Sequence, residues 1–204
     1  SGGIMRFDLN DIEDNQKLSI DGGGFWRGGL VKLSNENVIL GAAGSGNVRK
    51  VDKNTGEVQA KFEKAGAYDR SIASLGDYVA VTDDKLHILD QNLDEIASNE
   101  KNGVRNFSSP NMLEEDGELK VYLGDFNEGT VEGHSLSDGV LEREFITDVG
   151  EQVANTTVVG DTLLSYGDKF TITNRHTGEQ LEQYDKLGIG GYPHEDVIPL
   201  PNPD

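Results

Sequence analysis

The sequence predicts an all-β fold assembled from repeated four-stranded units. Three observations lead there. Sustained helical periodicity is missing, glycine-bearing turns recur at hairpin spacing, and four segments of roughly 40 residues read alike. The 26 glycines and 35% hydrophobic content in 204 residues fit many short strands joined by turns. A length of this order is usual for a single all-β domain.

The first unit has an apolar segment Val38-Ile39-Leu40-Gly41 and an alternating one, Gly46 to Asp52. A turn Lys53-Asn54-Thr55-Gly56-Glu57 and a polar segment Val58 to Phe62 follow. The second repeats this as Tyr78 to Val81, Lys85 to Asp90, a turn through Asn92, and Glu95 to Ser98. The third runs Leu119 to Gly124, Gly129 to His134, Ser137-Asp138-Gly139, and Val140 to Phe145. The fourth runs Thr162 to Tyr166, Lys169 to Asn174, Arg175-His176-Thr177-Gly178-Glu179, and Gln180 to Tyr184. Glycine at these turns supplies the positive φ that a tight hairpin requires. An apolar segment precedes each unit: Gly29 to Leu33, Ser71 to Leu75, Asn111 to Leu113, and Asn155 to Val159. Apolar inner strands beside a polar outer strand are what a radial sheet demands, and four strands per unit make the blade of a β-propeller.

The residues preceding the hairpin turns lie near 52, 90, 135 and 174, so the units repeat about every 38 to 45 residues, within the range of propeller blades. The termini extend the pattern. Ile4-Met5-Arg6-Phe7-Asp8-Leu9-Asn10 matches Leu86-His87-Ile88-Leu89-Asp90-Gln91-Asn92, and the polar segment Gln16 to Ile20 follows. Asp196-Val197-Ile198-Pro199-Leu200 resembles an innermost strand. The expectation is a single five-bladed propeller over residues 1–204, its blades at about 25–62, 68–98, 104–145 and 152–184. The fifth is shared between 192–204 and 4–20, closing a near-complete ring; four blades with extensions is the alternative.

The stretch Val48 to Val58 resembles the third strand and turn of WD40 repeats. Together with Phe170-Thr171-Ile172-Thr173-Asn174-Arg175-His176-Thr177-Gly178-Glu179 it is also similar to quinoprotein-type (PQQ-like) repeats. The chain departs from both: Val51, Leu89 and Thr173 stand where WD40 repeats carry tryptophan, and no Gly-His pair opens a unit. The resemblance implies a diverged propeller, usually a scaffold for proteins or peptides.

Aromatic and basic residues collect where each innermost strand begins: Trp26 and Arg27, Tyr68 and Arg70, Arg105 and Phe107, Tyr192 and His194. Arginine captures carboxylate or phosphate bidentately, and tryptophan and tyrosine add flat contact area. These eight residues are expected at the mouth of the central channel, as a recognition face for a protein or peptide. The opposing reading has the arginines neutralising Asp69, Glu195 and Asp196 while the aromatics pack between blades.

The formal charge is −19, which repels phosphate backbones and anionic lipid, so neither nucleic acid nor membrane is expected as a partner. No apolar run approaches the roughly 18 residues of a membrane span. The absence of cysteine removes disulfides, thiolate zinc sites and cysteine nucleophiles, and leaves the compartment open. His87, His134, His176 and His194 fall at non-equivalent positions of different units, which argues against a shared zinc site. Asp52 to Glu57 has the alternating oxygen ligands of a partial calcium loop, but a hairpin turn explains it. No nucleophile elbow occurs, and Gly41-Ala42-Ala43-Gly44-Ser45-Gly46 leads into a strand, where a phosphate-cradling loop needs a helix. The reading is a monomeric, non-enzymatic binding propeller without cofactor or metal. A lectin-like propeller or a small metal-dependent hydrolase or lyase are the alternatives.

Overall fold

The computed structural model describes residues 2–7, 15–20, 30–33, 38–41, 48–63, 71–83, 85–99, 110–150 and 152–185. They form eighteen strands and no helix. β1 (Gly2–Phe7) and β2 (Asn15–Ile20) make an antiparallel hairpin, Gly2 opposite Ile20 and Phe7 opposite Asn15. Four antiparallel sheets of four strands follow. The first comprises β3 (Leu30–Lys32), β4 (Val38–Gly41), β5 (Val48–Val51) and β6 (Val58–Phe62). The second comprises β7 (Ser71–Leu75), β8 (Tyr78–Thr82), β9 (Leu86–Leu89) and β10 (Glu95–Ser98). The third comprises β11 (Asn111–Glu115), β12 (Glu118–Asp125), β13 (Thr130–Ser137) and β14 (Val140–Asp148). The fourth comprises β15 (Val153–Val159), β16 (Thr162–Gly167), β17 (Lys169–Asn174) and β18 (Gln180–Asp185). In every sheet spatial order follows chain order, as successive short hairpins require.

The turns between third and fourth strands show why the repeat is so regular. Asp52 Oδ1 accepts hydrogen bonds from the backbone N–H groups of Asn54 and Thr55 at 2.8 and 2.9 Å, and Gly56 takes φ 77°. Asn174 Oδ1 accepts from His176 and Thr177 at 2.9 and 3.1 Å, and Gly178 takes φ 74°. In both, a threonine hydroxyl accepts from the following glutamate N–H. The carboxylate of Asp52 is thus spent on its own turn, and these backbone donors hold its pKa below the usual aspartate value.

The core lies between sheets. Leu33, Val48 and Phe62 of the first meet Ile72, Val79, Val81 and Leu89 of the second. Ala80, Leu86 and Ile88 of the second meet Leu119, Val121, Leu123 and Leu136 of the third. Tyr122 and Val131 of the third meet Val149, Val153 and Leu163. The middle strands of the second and third sheets are therefore covered on both faces, while β10, β14 and β18 stay largely exposed. The first strands β3, β7, β11 and β15 pack side by side in that order. Ser74 Oγ donates to Lys32 O at 3.1 Å across one such junction, and Asn111 Nδ2 donates to Thr156 O at 2.9 Å across another. Gly167 marks a close approach: a Cβ there would overlap the Gln152 carbonyl oxygen.

Two details differ from expectation. β13 continues to Ser137, three residues past the expected end of that strand at His134. β14 runs to Asp148, three residues beyond the expected end of that unit, because Glu132, Val131 and Thr130 continue to pair with Ile146, Thr147 and Asp148.

Candidate functional site

Trp26, Arg27, Tyr68, Arg70, Arg105, Phe107, Tyr192 and His194 all lie outside the described residues. The described sheets carry a different candidate, at the end where β7 turns into β8 and β11 into β12. Three tight turns meet there. Gly76 has φ 55°, Asp116 and Gly117 have 53° and 82°, and Asp138 and Gly139 have 51° and 78°. Two successive positive φ values match the twist of a two-residue hairpin and keep it short. Short turns leave a groove of about 530 Å³ between the second and third sheets.

Leu75, Leu119 and Leu136 line it, with Tyr78 and Ile96, which are 37% and 38% exposed. Asp77, Glu114 and Asp138 supply three carboxylates, and among the described residues no lysine, arginine or histidine lines the groove. Gln91 Nε2 donates to Asp77 Oδ1 at 2.6 Å, which fixes that carboxylate with a neutral amide. Lys120 on β12 is engaged elsewhere, its Nζ 2.8 Å from Glu118 and 2.6 Å from Glu144, and both carboxylates hold its pKa above the usual lysine value.

The corresponding place between the third and fourth sheets is filled. Arg175, 7% exposed, presents Nη1 and Nη2 to Glu115 at 2.8 and 2.7 Å. Its Nε donates to Gly160 O at 2.7 Å and Nη1 to the Tyr122 hydroxyl at 3.2 Å. Those hydrogen bonds hold Glu115 below the ordinary glutamate pKa and Arg175 above the ordinary arginine value. Burial pushes Tyr122 up. His176 closes the outer side, 3.2 Å from Asp161.

Strand register corrects the expectation about histidines. His87 pairs with Val81, and His134 with Val121, at the same place in their sheets; Arg49 and Thr171 share it, opposite Leu40 and Ser165. All four are buried. His87 holds Glu95 through Nδ1 at 2.7 Å and faces Asp83 through Nε2 at 3.4 Å, while its ring meets Phe62 edge-on at 5.1 Å. His134 Nε2 lies 3.0 Å from Glu132. Equivalence puts the two histidines in separate sheet junctions, each with its own carboxylate. The carboxylates around His87 sit on opposite ring nitrogens, so they do not converge on one ion.

No family model matches the chain, and no curated protein does. Solved structures do. Virginiamycin B lyase from Staphylococcus aureus aligns with TM-score 0.71 and 13% identity, over 94% of this chain and 66% of that one. The dihydro-heme d1 dehydrogenase NirN, in complex with DHE, aligns with TM-score 0.66 and 11% identity, over 92% and 44%. A chain of the Mitotic Checkpoint Complex aligns with TM-score 0.66 and 12% identity, over 90% and 58%. The chain thus spans between 44% and 66% of these structures' lengths. All three are β-propeller proteins, and the fold of this chain is theirs.

Proposed function

We propose that the chain is a non-enzymatic binding propeller for a protein or peptide partner, with five blades, the fifth shared between residues 192–204 and 4–20. The groove between the second and third sheets carries the functional reading. It combines apolar side chains already exposed on rigid strands with polar groups at its edge, so a partner docks with little ordering cost. The buried ionisable groups outside it fit the same reading: His87, His134 and Arg175 are each held by a carboxylate partner.

The solved neighbours include a lyase and a dehydrogenase as well as a checkpoint-complex protein, so the fold accommodates either kind of role. A lectin-like reading asks for equivalent pockets in most junctions. The described junctions differ, one open and the next occupied by Arg175, and that favours a single docking site.

A displayed random-peptide library selected on the wild-type protein tests this. Selected peptides are expected to lose binding to Ile96→Lys, a change at an exposed position that leaves the melting temperature unaltered. They keep binding to Arg27/Arg70/Arg105→Ala. The reverse pattern moves recognition to the channel mouth. Failure to select any peptide contradicts the binding reading.

A further inference from the structure

We propose that the groove between the second and third sheets accepts an arginine side chain of the partner, flanked by an apolar residue. This rests on the groove being the docking site.

The repeat itself supplies the template. Leu75 pairs with Tyr78 and Glu115 with Glu118 at the ends of β7 and β11, so these two residues hold the same position in successive sheets. Leu136 pairs with Leu119 and Thr173 with Leu163, so Asp138 and Arg175, each two residues further on, also correspond. Between the third and fourth sheets the earlier sheet therefore offers Glu115 and the later sheet fills the space with its own guanidinium. Between the second and third sheets the same two positions are Leu75 and Asp138, and the space stays open. The intramolecular cation is missing there, and its place is bounded by the Asp77, Glu114 and Asp138 carboxylates.

An incoming guanidinium would complete the junction as Arg175 completes the next one. Asp138 and Glu114 are exposed, with no basic residue lining the groove among the described residues, and the half-exposed Tyr78 adds an aromatic ring beside them that suits a planar cation. Leu75, Ile96 and Leu136 receive the apolar flank. A carboxylate or phosphate ligand meets three like charges here and a protein of net charge −19, and is repelled. A lysine reaches the same carboxylates but loses the planar fork and the stacking.

The test uses the whole chain with methyl-labelled isoleucine and leucine. The probe is the peptide acetyl-Leu-Arg-Leu-amide, compared with its citrulline counterpart, which keeps the planar shape, replaces one NH2 donor by a carbonyl oxygen and lacks the charge. The arginine peptide is expected to shift the Leu75, Ile96, Leu119 and Leu136 methyl signals saturably, and the citrulline peptide to bind about tenfold more weakly. The gap closes in an Asp77→Asn/Glu114→Gln/Asp138→Asn variant; asparagine tolerates the positive φ at 138, so the turn survives. Equal binding of both peptides overturns the cation claim and leaves the groove as a docking site. Absence of any shift at these methyls with either peptide overturns the proposal. If library-selected peptides then still lose binding to Ile96→Lys, the docking reading stands without it.

Discussion

Arg175 takes part in two kinds of structure at once. Its Nε ties the turn after β17 back to the β15–β16 hairpin through Gly160, and its two Nη atoms reach Glu115 in the neighbouring sheet. Removing it breaks two charge-assisted hydrogen bonds, opens a void beside the Tyr122 hydroxyl and leaves Glu115 without its cation. Arg175→Ala is expected to lower stability by about 2 kcal/mol, read from the shift in urea midpoint at neutral pH. The same pair gives a pH signature. Glu115 is held below its unfolded value of about 4.3, so its contribution is complete above that value and is lost as pH falls through the lower folded value. Between about pH 5 and 3 the melting temperature of the wild type is expected to fall more steeply than that of Glu115→Gln. Parallel curves for the two proteins contradict the assignment.

At the scale of elements, the strands declare themselves locally. Asp52 and Asn174 each bond two backbone N–H groups within their own turn, so the hairpins could be read from a handful of adjacent residues. Relations between sheets were harder to read. His87 and His134 looked unrelated because the third unit reaches its turn at Ser137, and only strand pairing aligns them. The groove was illegible for a similar reason. It arises from Leu75 standing where the next sheet has Glu115, and from Asp138 standing where the next has Arg175, a difference between units with no motif inside either. The arginines singled out by the sequence, Arg27, Arg70 and Arg105, lie outside the described residues, and the described candidate uses carboxylates instead. Close approach is a further element-scale feature. At Gly167 β16 runs against the Gln152 carbonyl with no room for a methyl group. Gly167→Ala is expected to cost about 2–3 kcal/mol, because backbone must move to relieve the overlap. A thermal shift of less than a degree would show that this junction yields easily.

At the scale of the molecule, the second and third sheets each contribute one apolar face to the sheet before and another to the sheet after, while the first and fourth each meet one described neighbour. Such a series exposes two apolar faces at its ends unless it closes on itself, and the pairing of β1 with β2 provides the two outer strands that closure needs. Closure is the claim on which the ring, and therefore the rigidity of the groove, depends. Hydrogen exchange read by mass spectrometry tests it most directly, comparing the whole chain with one shortened to residue 185. If the fifth blade forms, amides of Gly2–Phe7 in the whole chain are as protected as those of Leu86–Leu89, and removal of 186–204 strips that protection while lowering the melting temperature. Equal exchange of Gly2–Phe7 in the two chains would contradict a closed five-bladed ring.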